Sequence, residues 1–199
     1  MLRKFDTVPE IELFLNPLIN GDFSGDDMLV LGDYVKRLKS GDFYLEIGTK
    51  YGKSLASAIF QSPEGVQFFT CDIKDWQAET QPYFTISRKD FFEIEKLDTK
   101  AIFMLQDSVK IASQWENTGI KFSMIFVDGD HIYEGVKADI EGWLPHLKSG
   151  GFMLFHDYFA GVQLAVDELV KDSDKFKDFF IAMDKYDIHS SSIVGANKK

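Results

Sequence analysis

Cysteine is almost absent from this 199-residue chain, which contains Cys71 alone. A single thiol excludes an internal disulfide and a cysteine metal cage, and it fits a reducing compartment. Cys71 lies in the apolar run FFTC, where we expect a small buried side chain rather than a nucleophile. The cysteine content therefore favours a cytoplasmic location.

Long apolar runs and basic stretches are also missing. No run approaches the roughly 18 apolar residues of a membrane span, and acids stand where a secretion signal has its apolar stretch. Lys and Arg number 22 against 32 Asp and Glu, which gives a net charge of -10. Such a chain repels phosphate backbones. We expect a small-molecule substrate, no nucleic-acid partner and no membrane partner, and the sequence leaves a homo-oligomer open.

What the chain does contain is an alternation of strand and helix patterns. Hydrophobic residues make up 45%, and 19 of the residues are Phe, which predicts an aromatic-rich core. Strands that alternate with helices predict an α/β fold with a parallel sheet covered on both faces. The predicted strands are residues 42–48, 66–72, 101–107, 122–128 and 152–157, with a closing strand pair in 176–183 and 189–196.

The helical patterns lie between these strands. A first helix is predicted at residues 25–42, beginning after Ser24 and two acids. Another is predicted at residues 134–151, where apolar residues share one face and two glycines end the helix. Further helices are predicted at residues 53–62 and 161–173.

Each predicted strand ends in residues capable of chemistry. In open parallel sheets, ligands bind outside the carboxyl ends of the strands. We therefore expect one functional edge, formed by Glu46 and Gly48, Asp72, Asp107 and Ser108, Asp128 and Asp130, and His156 and Asp157.

The first strand leads into the loop EIGTKYGKS, in which Gly48 and Gly52 precede a helix. Glycines allow a tight turn and close approach of the backbone to a ligand. The spacing is neither that of the dinucleotide motif nor that of a P-loop. Asp72 follows after about 20 residues, where an acid can bind both hydroxyls of a ribose. Asp107 and Ser108 are placed to bind an adenine.

These segments, together with the stretch FVDGDHIYEGVKADIEGWLPHLKSGGFMLFHDY, resemble class I S-adenosylmethionine (SAM)-dependent methyltransferases. The likeness covers residues 42–158 and is greatest to the branch with metal-assisted sugar O-methyltransferases and cephalosporin-hydroxylase-like proteins. It implies a Rossmann-like, seven-stranded, mostly parallel sheet whose last strand is antiparallel. It also implies one methyltransferase domain, with a helical cap at residues 1–41 and a closing helix and strand pair at 159–199.

The resemblance assigns cofactor roles residue by residue. Glu46, Gly48 and Gly52 would line the methionine part of SAM, Asp72 would hold the ribose, and Asp107 and Ser108 the adenine. Asp128, at the end of the fourth strand, would also border the cofactor. Lys50 departs from the pattern, because the commoner family loop has glycine at that position.

Two neighbouring strand ends predict a divalent-cation site. Parallel neighbours lie about 5 Å apart, so Asp128 and Asp157 can meet at one ion such as Mg²⁺. The resembling enzymes often have two adjacent acids after the fifth strand, and here His156 takes the first place. His156 is a third metal ligand in this prediction, and it would also suit manganese, iron or zinc. Two other roles for His156 are equally open: it lies behind the metal ligands, or it acts as the base.

A base must remove the proton of a hydroxyl acceptor. The candidates are Asp130, which is favoured if a metal is present, and His131, which is favoured if none is. The function predicted is O-methylation of a small-molecule hydroxyl by SAM with metal assistance. The alternatives are a nicotinamide-dependent oxidoreductase and a non-catalytic nucleoside-binding protein. The missing dinucleotide motif argues against the oxidoreductase, and Tyr133 and Lys137 have the spacing of its catalytic pair but lie directly beside the acidic turn. Acceptor specificity is expected in the N-terminal segment, in residues 76–88 and in the loop after Tyr158.

Overall fold

A seven-stranded mixed sheet forms the centre of the protein in a computed structural model, which describes residues 2–74, 87–181 and 193–199. The strands are β1 (Phe43–Ile47), β2 (Gln67–Asp72), β3 (Ala101–Leu105), β4 (Phe122–Val127), β5 (Leu147–Phe155), β6 (Phe176–Ile181) and β7 (Val194–Lys198). Their order is β3-β2-β1-β4-β5-β7-β6. The strands β1 to β5 run parallel, and β7 is antiparallel to β5 and β6. The predicted Rossmann-like sheet with an antiparallel last strand is confirmed.

Helices cover both faces of this sheet. They are α1 (Val8–Leu15), α2 (Gly25–Val35), α3 (Lys53–Gln61), α4 (Arg88–Ile94), α5 (Ser108–Trp115), α6 (Tyr133–Trp143) and α7 (Ala160–Val166). Apolar side chains of α1 to α4 form one buried cluster and those of α5 to α7 form another. Successive strand residues point to opposite faces, so Tyr44 of β1 joins the first cluster and Leu45 the second.

The strand order reverses between β1 and β4, which are neighbours in space although β2 and β3 separate them in sequence. Such a reversal opens a crevice at the carboxyl ends of the strands. The backbone N–H of Asp128 donates to the carbonyl of Ile47 at 2.9 Å, and the N–H of His156 donates to that of Val127 at 3.1 Å. These bonds hold the ends of β1, β4 and β5 level, and the site residues follow directly.

Two helices are shorter than predicted. The helix expected at residues 25–42 ends at Val35, and the one expected at 134–151 ends at Trp143. Pro145 lies in a short 3-10 turn, Leu144–His146, and β5 then begins at Leu147. Proline cannot continue a helical hydrogen-bond ladder. Leu147 is still buried, but it pairs with Phe122 of β4 instead of packing from a helix.

The predicted C-terminal helix and strands are present, but their boundaries differ from the prediction. Helix α7 continues into a π-helical turn, Asp167–Lys171, so the predicted helix at residues 161–173 is irregular in its second half. The predicted strand at 176–183 corresponds to β6, while β7 covers the end of the segment predicted at 189–196. Residues 182–192 lie outside the described part. No helix within the described ranges has the length and apolarity required to cross a membrane.

Candidate active site

A cavity of about 760 Å³ opens at the carboxyl ends of β1 to β5. The N-terminal segment, the loop after each of these strands and the first turns of α6 contribute to its wall. Its lining includes every predicted site residue except Glu46: Gly48, Gly52, Asp72, Asp107, Ser108, Asp128, Asp130, His131, His156 and Asp157. The strand ends therefore form one common edge, as the sequence pattern predicts.

The loop after β1 is built on left-handed backbone at Gly48 (φ 91°), Lys50 (φ 46°) and Gly52 (φ 81°). A Cβ at Gly48 would stand 2.2 Å from the backbone oxygen of Asp128. Glycine is required there because β4 approaches the loop closely. A Cβ at Gly52 would stand 2.9 Å from the ring of Phe92. The two glycines thus shape one cavity wall by letting the loop pack against the protein.

Asp72 ties this loop to the end of β2. Its Oδ2 accepts hydrogen bonds from the backbone N–H groups of Thr49 (3.1 Å) and Lys50 (2.8 Å). Its Oδ1 accepts one from the backbone N–H of Lys74 (3.0 Å). Each carboxylate oxygen can accept more than one hydrogen bond. Asp72 is therefore oriented by the backbone and still able to accept from a ligand. Its assignment to a ribose stays a prediction.

Glu46 is placed beneath the loop and has no exposed surface. Tyr44 Oη donates to one carboxyl oxygen and Ser54 Oγ to the other, each at 3.1 Å. Burial, and secondarily the charge of Asp128, raises the pKa of Glu46 to about 8. Glu46 is not among the residues that line the cavity although its partner Ser54 is, and its contact with a cofactor stays a prediction.

At the end of β3, Asp107 caps helix α5, since its Oδ1 accepts a hydrogen bond from the N–H of Lys110 at 3.0 Å. The hydroxyl of Ser108 donates to Oδ1 of Asp139 on α6. Asp139 lines the cavity although it is only 5% exposed, and the sequence reasoning missed it. The available signal was an acid on the apolar face of α6, three residues after Val136.

Asp128, His131 and Asp157 form what we call the acidic centre. His131 Nε2 lies 3.2 Å from Asp157 Oδ2. Within the described ranges, this is the one group of three whose potential ligand atoms lie within 4.8 Å of one another. Two carboxylates and an imidazole suit several divalent metals. The predicted pairing of Asp128 and Asp157 across neighbouring strand ends is therefore present.

His156 lies against that group, although it is not one of its three members. Its ring is 4% exposed, and Nδ1 lies 3.1 Å from Asp128 Oδ1 and 3.3 Å from Asp157 Oδ2. Nε2 lies 3.7 Å from Asp27 Oδ2. Burial alone would lower the pKa of His156, but these carboxylates raise it well above its usual value. His156 thus contacts both carboxylates of the acidic centre, and its part there, as a metal ligand or behind the ligands, stays a prediction.

The two candidate bases differ in their surroundings. Asp130 Oδ1 accepts a hydrogen bond from the N–H of Ile132 at 3.0 Å, at the start of α6. His131 is half-exposed and pairs with Asp157. The geometry orients His131 toward the acidic centre and Asp130 toward the helix terminus. Which of them takes a proton stays a prediction.

Tyr133 and Lys137 lie away from the cavity lining. Tyr133 Oη donates to Glu168 at 2.7 Å, and Lys137 Nζ donates to Tyr133 Oη at 3.4 Å. The pair considered for an oxidoreductase therefore serves the contact between α6 and the π-helical turn.

Of the segments expected to select the acceptor, residues 20–23 do line the cavity, and Lys53 Nζ donates to the carbonyl of Gly21 at 3.0 Å. The loop after Tyr158 is not part of the lining, and the Tyr158 hydroxyl donates to Asp167. Most of the predicted segment at 76–88 lies outside the described residues.

Comparison with protein families finds a match to a methyltransferase domain over residues 45–158. An uncharacterized protein of Sinorhizobium fredii, y4gI, is 29% identical over 133 residues, which cover 57% of this chain and 13% of that relative. The chain thus spans a small part of its curated relative.

Two solved structures have the same fold at low sequence identity. An O-methyltransferase from Bacillus cereus in complex with SAH is 17% identical with a TM-score of 0.66, covering 100% of this chain and 93% of that one. The O-methyltransferase TomG from Streptomyces achromogenes, involved in tomaymycin synthesis and solved with SAM, is 15% identical with a TM-score of 0.67, covering 100% and 92%.

Proposed function

The chain belongs to the methyltransferase-domain family and is a methyltransferase, and from this premise we propose that it transfers a methyl group from SAM to a hydroxyl of a small molecule. One observation carries the proposal: the glycine loop, Asp72 and the acidic centre line a single cavity of about 760 Å³. That volume lies in the range of sites that enclose a cofactor or small ligand.

The chemistry of the lining fits SAM. Seven carboxylates border the cavity, those of Asp22, Asp72, Asp107, Asp128, Asp130, Asp139 and Asp157. Acids favour a cation such as a sulfonium and accept from hydroxyl and amino groups. We assign Asp72 to the ribose, Asp107 and Ser108 to the adenine, and the loop of Gly48 and Gly52 to the methionine part.

The reaction needs an aligned acceptor and a place for its proton. SAM supplies a methyl carbon that leaves sulfur as the acceptor oxygen bonds to it. The acidic centre lies at the end of the cavity formed by β4 and β5, where it can orient the acceptor hydroxyl. A divalent cation held by Asp128, His131 and Asp157 would lower the pKa of that hydroxyl. Asp130 is then our candidate for the group that takes the proton.

A metal-free form is the second candidate, and it is favoured by the distance of 3.2 Å between His131 Nε2 and Asp157 Oδ2. An imidazole oriented by a carboxylate is a common arrangement for a general base. The resemblance to metal-assisted sugar O-methyltransferases and the O-methyltransferase neighbours support oxygen as the acceptor in both forms.

Cofactor binding is tested by titrating S-adenosylhomocysteine (SAH), the demethylated product of SAM, into the wild type and the Asp72→Ala variant. We expect the variant to bind at least about tenfold more weakly, because it loses hydrogen bonds to the ribose and the anchor of the loop. Asp98→Ala, at an exposed acid just before β3, is the matched control and should bind like the wild type. Absence of SAH binding by the folded wild type would refute the proposal, and NADH binding instead would restore the oxidoreductase alternative.

Metal binding is tested by electron paramagnetic resonance with Mn²⁺ on protein freed of metal by dialysis against a chelator. We expect bound Mn²⁺ in the wild type and at least about a tenfold loss of affinity in Asp157→Asn, because one charged ligand is removed. Asp98→Asn serves as the control. A wild type that binds no Mn²⁺, together with unchanged SAH binding, would discard the metal-assisted form and leave His131 as the base.

A further inference from the structure

Asp139 is an acid placed among core residues. It lies on the face of α6 that also carries Val136, Ile140 and Trp143, all of them buried, and it is itself 5% exposed. A buried carboxyl without a partner is costly. Asp139 lies at the cavity wall and accepts a hydrogen bond from a second lining residue, Ser108. These two features offset the cost of its burial.

The partner is Ser108, whose hydroxyl donates to Asp139 Oδ1. Burial raises the pKa of Asp139 to about 6, the bond from Ser108 opposes this shift, and the charges of Asp107 and Asp130 add to it. The carboxyl is therefore mainly ionised at neutral pH and can only accept. Because a serine hydroxyl has one proton, Ser108 has only lone pairs left for a ligand.

Two apolar side chains with exposed surface line the same cavity as Ser108. Ile73 follows Asp72 at the end of β2 and is 78% exposed, and Val109 follows Ser108 and is 38% exposed. Both apolar side chains line the cavity. In the proposed cofactor site, a base beside Ser108 with its ribose at Asp72 would cover part of this apolar surface.

We propose that Asp139 fixes Ser108 as a hydrogen-bond acceptor, so that the site selects a 6-amino purine over a 6-oxo purine. The inference rests on the proposed use of SAM and deepens it, since it names a positioning residue that acts through Ser108. An adenine offers two amino hydrogens to the Ser108 oxygen. A hypoxanthine places a carbonyl oxygen there, and two acceptors then face each other.

The test compares the dissociation constants of SAH and S-inosylhomocysteine, its 6-oxo analogue, by calorimetry. In Asp139→Ala the Ser108 proton is released and can be donated to the 6-oxo group. We expect the preference for SAH to fall about tenfold, mainly through tighter binding of the 6-oxo analogue. In Asp139→Asn the amide oxygen can still accept from Ser108, so the preference should be kept.

The serine gives an independent arm. Ser108→Ala removes the acceptor and should lower the preference by weakening SAH binding. Ser113→Ala, on the outer side of α5 with its hydroxyl bonded to Lys110, and Glu141→Ala, exposed on α6, are matched controls and should keep it.

Equal weakening of both ligands in Asp139→Ala, with an unchanged ratio, would mean that Asp139 only supports the fold and would overturn the inference. An unchanged ratio in Ser108→Ala would overturn it as well, even if the Asp139→Ala variant failed to fold. A wild type that bound neither ligand would instead remove the proposed function, and the inference with it, so the two failures are distinguishable.

Discussion

At the scale of single residues, Glu46 illustrates how burial decides charge near the cavity. Its carboxyl group is fully buried and hydrogen-bonded by Tyr44 and Ser54. Burial and the charge of Asp128 raise its pKa to about 8, although these bonds and the positive charge of Arg88 oppose the shift. Glu46 is therefore mainly protonated at neutral pH, with both of its carboxyl oxygens held by hydrogen bonds.

The Glu46→Gln variant tests this protonation. An acid whose folded pKa is raised stabilises the fold fully below its unfolded pKa, and that contribution is lost as pH rises to the folded pKa. The window here extends from about 4.5 to about 8. We expect the stability of the variant relative to the wild type to rise by about 1 kcal/mol per pH unit across this window and then level off. Urea denaturation at several pH values measures it.

A constant difference between the Glu46→Gln variant and the wild type from pH 5 to pH 8 would show that Glu46 has an ordinary pKa in the fold. Glu64→Gln provides the matched control, because this residue is exposed in the turn before β2. Its difference from the wild type should stay nearly flat over the same range.

At the scale of secondary-structure elements, helix α2 connects the N-terminal segment to the acidic centre. Ser24 caps the helix, and the Asp27 carboxylate accepts from its N–H (2.9 Å) and hydroxyl (2.6 Å). The same carboxylate is fully buried and lies 3.7 Å from His156 Nε2. Burial would raise the pKa of Asp27, yet the positive charge of His156 and the hydrogen bonds from Ser24 lower it to about 2. The start of α2 thus places a carboxylate beside His156 that favours its charged form.

Substitution of Asp27 tests whether this residue stabilises the protein mainly as a helix cap or mainly through its buried charge pair with His156. We expect Asp27→Asn to lower the free energy of unfolding by about 3 kcal/mol, because His156 loses one of its compensating charges in a buried setting. Asp26→Asn removes an exposed charge from the same first turn and should cost less than about 1 kcal/mol. Equal losses in the two variants, measured by urea denaturation at pH 7, would restrict Asp27 to helix capping.

The boundaries of α6 and β5 show where periodicity misleads at the level of elements. Val136, Ile140, Trp143 and Leu147 have helical spacing, and all four are buried. Leu147 nevertheless belongs to β5, where pairing with β4 decides its conformation. Tertiary packing can satisfy the same apolar pattern with two different elements, and the proline at 145 was the local signal for the break.

At the scale of the whole molecule, negative charge is concentrated where the ligands are expected. The net charge is -10, and seven carboxylates border the cavity at the strand ends. Such a field attracts a sulfonium or a divalent cation and repels polyphosphates. It agrees with the proposal of a small-molecule acceptor and no nucleic-acid partner.

The sequence alone determined the alternating fold and the placement of chemistry at the strand ends. Apolar strands must be covered on both faces, and parallel strands bring their carboxyl ends to one edge. Asp72, Asp107, Asp128 and Asp157 were found in this way.

Only the tertiary structure decided which atoms meet at that edge. It brought His131 together with Asp128 and Asp157, left Glu46 out of the cavity lining and brought Asp139 to Ser108 from a distant helix. These outcomes depend on side-chain direction, burial and contacts between elements that follow one another only in space, and local sequence patterns carry no distances of that kind.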